Sequence, residues 1–329
     1  MVEPLPLPVP FGWFFIAYSD ELTTGEVRPV HYFGRDLVLF RTEHGTPCLM
    51  DAYCPHLGAH LGHGGRVEGE TLRCPFHGWA ISTEGRCVDV PYAKRTPSGG
   101  DRAGAVTAHP TVERNQIIWG WYHPRGEKPT FDVVEYPEVG DPDWEPLTRY
   151  HWRFRSNPQE IAENGVDPAH FRYVHGMDAV PEGETTYDGV MRCSMVEGPH
   201  TAEDPDGSVR TYQSRVVTVQ NGAGQKCTRL SGLAETLLMT LVTPIDSQEV
   251  ELRFAFTRRR EKPGSLEEAM GVRSIENTAA GVEDDIRIWQ HKLHRVHPLL
   301  CDGDGPIPEF RRYFSNFYVE TAPSSSQEA

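Results

Sequence analysis

Apolar residues in the first third of the chain fall in short dense runs rather than at helical spacing. GWFFIAYS, VHYFGRDLVLFR and NQIIWGWYH are rich in aromatic and β-branched residues, as strands are. Gly25, Gly34, Gly45 and the GHGG run at 62–65 punctuate them as turns do. From residue 12 to about 123 this pattern predicts a small antiparallel β-domain. A stretch poor in periodicity and rich in Pro, Asp and Glu follows over 124–147, and it reads as a boundary. Beyond it, a helical stretch is expected over 158–175. Strands are expected over 209–219, 228–241 and 250–258, and a long helix over 265–293. Strands, then helix, strands and helix predict an α+β fold with an antiparallel sheet. The expected division is 1–126 for the first domain, 127–147 for the linker, 148–320 for the second domain and 321–329 for a disordered tail.

Composition narrows the setting. Hydrophobic residues make up 38% of 329 residues, enough to bury a core. The net charge of −15 disfavours nucleic acid and anionic membrane surfaces and suits a basic redox partner. The acidic residues are spread along the chain, so most form a solvated surface. No apolar run approaches the ~18 residues of a membrane-spanning helix, and the opening PLPLPVP lacks a basic n-region. Seven cysteines, an odd number, point to a reducing compartment, the cytoplasm by default.

Two cysteine–histidine motifs carry the first chemical signal. Cys54-Pro55-His56 and Cys74-Pro75-Phe76-His77 are separated by seventeen residues. Two thiolates and two imidazoles are the ligands of a Rieske 2Fe–2S centre. They also describe a structural zinc site. The flanks, CPHLGAHLGHGG and CPFHGWAIS, are glycine- and proline-rich with bulky apolar residues, which suits the water-excluding wrap of a cluster. His60 and His63 lie nearby and read as loop or surface residues.

The second signal is Asn164, Asp167, His170 and His175. Asp167 and His170 share a helix face, but His175 lies five residues beyond His170. Both histidines reach one ion only where the helix ends or distorts between them. The plain alternative is a helix with Asp167 as N-cap, Pro168 at its first position and two incidental histidines. A third ligand to complete a two-histidine, one-carboxylate set must come from elsewhere. In a helix over 282–293, Val282, Ile286, Trp289 and Leu293 form an apolar stripe. Asp285 flanks it and Asp284 faces away, so periodicity favours Asp285. His291, His294 and His297 read as a polar helix face.

Residues 54–79 resemble the Rieske domain of aromatic-ring and steroid oxygenases. Ala59 and Phe76 stand where cytochrome-type Rieske proteins carry an extra disulfide pair. N-x-x-D-x-x-H-x4-H resembles the mononuclear iron motif of the same family, and D-x-x-I-W at 285–289 its third ligand. HKLHRVHPLLCDGDGPIPEFRRYFSNFY resembles the end of the 3-ketosteroid 9α-hydroxylase and cholesterol 7-desaturase group, and DAYCPHLGAHLGHGG and VPYAKRTP resemble its beginning. The resemblance implies a Rieske domain followed by a helix-grip, START-like catalytic domain. It implies that Cys54, His56, Cys74 and His77 hold the cluster and that His170, His175 and Asp285 hold Fe(II). It implies that Asp167 bridges to a Rieske histidine, His77, of a neighbouring subunit, with Asn164 beside the iron. It further implies a homotrimer that activates O2 and hydroxylates a steroid-like or other polycyclic apolar substrate. Desaturation and oxidative demethylation are alternative outcomes. The glycines at 62, 64, 65 and 69 miss nicotinamide-binding spacing. Electrons from NAD(P)H are therefore expected only indirectly, through a separate reductase, directly or by way of a ferredoxin. Leu237, Leu238, Met239 and Leu241 either line the substrate pocket or belong to the core. A pure electron-transfer protein is the rival class, and it leaves the whole second domain without a purpose.

Overall fold

The computed structural model describes residues 7–94, 105–176, 180, 183–203, 207–232 and 234–319. The first strand explains how the chain is assembled. β1 (Gly12–Tyr18) is buried at all seven positions, because it feeds two cores at once. Trp13, Phe15 and Tyr18 enter one core, while Phe14, Ile16 and Ala17 enter the other. A bulge between Phe15 and Ala17 puts two successive residues on the same side. A strand buried on both faces needs no polar alternation, which is why this segment is an unbroken apolar run.

The N-terminal unit continues through β2 (Val27–Tyr32), β3 (Arg35–Arg41), β4 (Pro47–Asp51), β5 (Arg66–Glu68), β6 (Thr71–Arg73), β7 (Ala80–Ser82), β8 (Cys87–Asp89), β9 (Ala108–His109), β10 (Thr111–Arg114) and β11 (Ile117–Tyr122). They form three small antiparallel sheets, β1-β11-β10, β2-β3-β4-β9 and β5-β6-β7-β8. The second unit begins with β12 (Thr148–Arg155), then α1 (Pro158–Glu163) and α2 (Pro168–Tyr173). β13 (Gly183–Asp188), β14 (Met191–Glu203), β15 (Val209–Asn221), β16 (Gln225–Ser231), β17 (Thr236–Pro244) and β18 (Glu249–Arg258) follow, then α3 (Leu266–Trp289) and α4 (Ile307–Ser315). All seven of these strands join one antiparallel sheet in the order β12-β18-β17-β16-β15-β14-β13.

That sheet is covered on both faces. On one, Cys227, Leu237, Met239, Leu241 and Ala255 meet Trp13, Phe15, Trp119 and Trp121 of the N-terminal unit. On the other, Leu238, Val242, Leu252, Phe254 and Phe256 meet Ile275, Ala279, Val282, Ile286 and Trp289 of α3. A long helix held against an antiparallel sheet is the helix-grip arrangement expected. Residues of the 124–147 stretch are pinned between the units. The Phe131 carbonyl accepts from Trp13 Nε1 at 2.7 Å, and the Asp132 carbonyl accepts from Asn221 Nδ2 at 2.9 Å.

Several elements differ from expectation. The single strand over 228–241 is two, β16 ending at Ser231 and β17 beginning at Thr236, and Gly232 takes φ +143° just past the first. The helix over 158–175 is broken, because Asp167 is extended and caps a new helix. α3 stops at Trp289, so Leu293 is 48% exposed and does not extend the stripe. The three histidines at 291, 294 and 297 therefore lie beyond the helix. The tail over 321–329 lies outside the described residues. Among the described residues no helix is long and apolar enough to cross a membrane.

Because Trp13 fills the core between the two units, Trp13→Ala is expected to cost about 3–5 kcal/mol. Chemical denaturation followed at far-UV and at cluster wavelengths checks this. Both signals should lose stability together; loss at one wavelength alone would separate the units.

Candidate metal centres

The two cysteine–histidine loops share one backbone design. Cys54 N–H donates to the Ala59 carbonyl at 2.9 Å, and Gly58 N–H to the Cys54 carbonyl at 3.0 Å. In the second loop, Cys74 N–H donates to Trp79 at 2.8 Å and Gly78 N–H to Cys74 at 3.0 Å. The closing glycines have φ of +73° and +71°, a left-handed conformation that disfavours a side chain. The loops thus bring Cys54 and Cys74 into the same apolar cluster, 3% and 2% exposed. Burial, reinforced by the neighbouring Cys74 thiol, pushes Cys54 up to about 11. A bound metal reverses that cost by accepting the thiolate. The His56 and His77 rings sit 4.7 Å apart, and His56 stacks on Trp79 at 4.6 Å. His77 Nδ1 is buried without a hydrogen-bond partner, as a nitrogen reserved for a ligand would be. The four residues therefore fit a 2Fe–2S cluster. Cys48 and Cys87 are buried free thiols. The His60 and His63 rings lie 4.5 Å apart, and Gly62 N–H donates to His60 Nδ1 at 3.0 Å.

The second group is built by a broken helix and α3. After α1, a single 3-10 turn (Asn164–Val166) leads to Asp167, whose Oδ1 accepts from Ala169 N–H at 3.1 Å and His170 N–H at 3.3 Å. Pro168 follows at the first helical position. The capping role weighed from the sequence is thus present, and both of these bonds use Oδ1. His170 Nδ1 donates to the Asp167 carbonyl, which leaves Nε2 with its lone pair for a ligand. α2 ends at Tyr173, so the backbone turns before His175 and brings its ring to 5.3 Å from that of His170.

Asp285 arrives from α3, 8% exposed, with its Oδ2 3.2 Å from His175 Nε2. Asp284 points to solvent and pairs with Arg287 at 2.9 Å, as helical periodicity requires. Ligand atoms of His170, His175 and Asp285 lie within 4.8 Å of one another. Asn164 Nδ2 donates to Asp285 Oδ1 at 3.1 Å, while Trp289 Nε1 donates to Asn164 Oδ1 at 3.2 Å. Burial raises the Asp285 carboxyl above the usual range, opposed by both histidines and the Asn164 amide. Burial lowers the His170 imidazole and favours its neutral form. A neutral imidazole pair with one carboxylate and open positions suits a divalent iron.

Three supports were not visible in the sequence. The His175 ring packs over Gly281 of α3, where an added Cβ would sit 3.4 Å from Nδ1, at van der Waals contact. One on Gly305 would strike the Val166 carbonyl at 1.7 Å, so only glycine lets the 301–306 loop press on the turn before α2. Buried Glu160 binds Lys292 Nζ and His294 Nδ1, each at 2.6 Å. His294 is thus an anchor for the segment after α3 rather than part of a polar helix face, while His291 and His297 are exposed. Of the apolar strand residues considered for a pocket, Leu237, Met239 and Leu241 turn toward the N-terminal unit; Leu238 faces α3.

Two family models divide this chain. Residues 12–108 match the Rieske [2Fe-2S] domain, and residues 120–318 match the 3-ketosteroid 9alpha-hydroxylase C-terminal domain. The chain belongs to the 3-ketosteroid 9α-hydroxylase family of Rieske oxygenases. It is similar to cholesterol 7-desaturase of Caenorhabditis elegans, 31% identical over 98% of this chain and 80% of that protein. It is similar also to a 3-ketosteroid-9-alpha-monooxygenase oxygenase component of Rhodococcus rhodochrous, 30% identical over 94% of this chain and 81% of that protein. In fold, this Rieske oxygenase resembles NdmA of Pseudomonas putida CBB5 with caffeine, TM-score 0.74 at 16% identity over 96% and 97% of the two chains. Dicamba monooxygenase bound to 3,6 dichlorosalicylic acid gives 0.71 at 18% identity over 93% and 96%. The chain is a Rieske non-haem iron monooxygenase, a class that uses a 2Fe–2S cluster, a mononuclear iron and O2.

Burial would raise Glu160, but His294 and Lys292 outweigh it and hold the carboxyl down to about 2. Its folded pKa lies below the unfolded value, so its stabilisation is full above about pH 4.5 and is lost as pH falls toward about 2. The stability gap between wild type and Glu160→Gln is expected to be on the order of 1–3 kcal/mol near neutral pH. Melting curves at descending pH should show it narrowing below about pH 4.5; a constant gap would remove the ionic role.

Proposed function

We propose that Cys54, His56, Cys74 and His77 hold the 2Fe–2S cluster and that His170, His175 and Asp285 hold the mononuclear Fe(II). The observation that carries this is the convergence of three ligand atoms from α2, the turn after it and α3 within 4.8 Å. When loaded, the cluster supplies single electrons and the Fe(II) supplies open coordination positions at which O2 is activated. The protein's own part is placement. Asp167 fixes the His170 tautomer through its carbonyl. Asn164 and Trp289 orient the Asp285 carboxylate in series, and the apolar α3 face keeps bulk water from the group.

We assign to Asp167 a second task, a bridge between a ligand histidine and His77 of a neighbouring copy in a head-to-tail homotrimer. Two features support this. α2 buries none of its residues, and Tyr173 on it is 80% exposed. The cysteine loop tips expose Leu57 and Phe76 at 64% and 61%, and Tyr92, which accepts from Trp79 Nε1, is 60% exposed beside them. Apolar tips of this kind mark an interface, and rotation of one tip onto the next subunit's α2 closes a ring.

The names of the relatives favour a small apolar substrate of steroid-like or other polycyclic shape. Hydroxylation is the first outcome proposed, with desaturation and oxidative demethylation as alternatives from the same apparatus. A separate reductase, acting directly or through a ferredoxin, brings the NAD(P)H electrons. The phrase "oxygenase component" in the relatives' names supports this. The chain's charge of −15 suits a basic partner face. The reducing cytoplasm is the proposed location, where free thiols persist.

Asp285→Ala is expected to lose the mononuclear iron and keep the cluster absorbance; iron analysis with EPR reads both, and full iron content would refute the ligand. Asp167→Asn keeps the cap oxygen and removes the charge. It should retain all iron while turnover under a surrogate reductase falls on the order of 10–100-fold. Undiminished coupled turnover would remove the bridge. Product analysis with a steroid panel tests the substrate class, and no oxidised steroid would reject it.

A further inference from the structure

Strand register sets a row of polar side chains on the sheet face that looks toward α3. Arg192 on β14 pairs with Gln220 on β15, Gln220 with Lys226 on β16, and Lys226 with Thr240 on β17. Thr240 stands between Leu238 and Val242, which pack against α3, whereas Cys227 beside Lys226 turns to the opposite core. The neighbouring row, Ser194, Thr218 and Thr228, is polar as well. An apolar substrate alone gives this face no reason to be polar.

Arg192 is the sharpest case. It is 0% exposed, and Nε, Nη1 and Nη2 all lack a hydrogen-bond partner. The groups that act on it electrostatically are Tyr187, Tyr313 and Cys193, none of them a carboxylate. Its guanidinium carbon lies 5.4 Å from the Phe310 ring centroid, a modest compensation for a buried cation. A Cβ on Gly165 would come within 2.7 Å of Nη2, so the guanidinium rests against the turn that carries Asn164 and Asp167.

Lys226 is half-buried on the same face. Burial, together with Arg192, pulls its ammonium down to about 8, so the cation still prevails at neutral pH. Asp285 attracts it, but that carboxylate is engaged by Asn164 and His175. Two cations in one buried row repel each other, and a buried guanidinium without a hydrogen bond is costly. An anion that arrives with a ligand would remove that cost.

We propose that the substrate carries a carboxylate, bound between Arg192 and Lys226 beside the iron-ligand turn. The two residues stand two strand spacings apart, about 10 Å at the backbone, a gap their long side chains close over one anion. The planar guanidinium fits a carboxylate through two parallel hydrogen bonds. This inference rests on the oxygenase function proposed above, and it names the substrate as an organic acid with an apolar body. The acid group can sit on a side chain or directly on a ring.

Binding to the metal-loaded protein, measured by calorimetry without reductant, tests this apart from turnover. The probes are cholate against methyl cholate for a side-chain acid, and anisate against methyl anisate for a ring acid. At least one acid is expected to bind about tenfold or more tightly than its ester, and which pair discriminates identifies the source. Arg192→Gln and Lys226→Gln should each reduce that ratio, the double variant should abolish it, and Arg192→Lys should restore part of it. Iron content reports separately on the metal sites. Equal binding of acid and ester in both pairs would overturn the proposal, as would discrimination that survives in the folded double variant.

Discussion

A carboxylate sealed inside a protein must be compensated, and the second domain is arranged around one. Asp285 is 8% exposed, and its two oxygens face an imidazole and an amide. The compensation reaches outward in a chain, from Asp285 to Asn164 and from Asn164 to the Trp289 indole. Trp289 lies one helical turn from Asp285 on α3 and stacks on Phe154 of β12 at 5.9 Å. The helix therefore supplies both the acid and the clamp on its orienting partner. Sheet, helix and the broken α1–α2 segment meet at this point, and a shift in any of them would leave a buried charge unpaired.

What the sequence made legible depended on how sharply a local rule applied. The cysteine–histidine loops were readable because glycine and proline fix their shape within five residues. A break between His170 and His175 was legible only as the condition for both to reach one ion, since side chains five apart on a regular helix diverge. Asp285 was separable from Asp284 because an amphipathic helix has a definite inner face. The comparisons bear out the family and fold, while the ligand roles stay proposals.

Other elements were hidden because their signals were weak or distant. β13 and β14 escaped notice because their inner positions include Thr185, Arg192 and Ser194, which erase the apolar alternation by which strands are recognised. The break between β16 and β17 falls at Gly232, Ala234 and Glu235, poor strand formers masked by the strand-favouring residues on either side. Glu160 and His294 are 134 positions apart, so nothing local links them, and the apparent three-residue histidine period was coincidence. The polar inner face that obscured β14 also buries Arg192 without a hydrogen-bond partner.

The double duty of β1 has a practical outcome for anyone wishing to recombine this enzyme with its relatives. Its side chains are divided between two cores, so a cut at the domain seam would strip Leu237, Met239 and Leu241 of their cover and leave a greasy scar on the catalytic half. Swapping electron-delivery modules between such oxygenases therefore calls for exchanging the strand together with the surface it seals, or for redesigning that surface as water-facing.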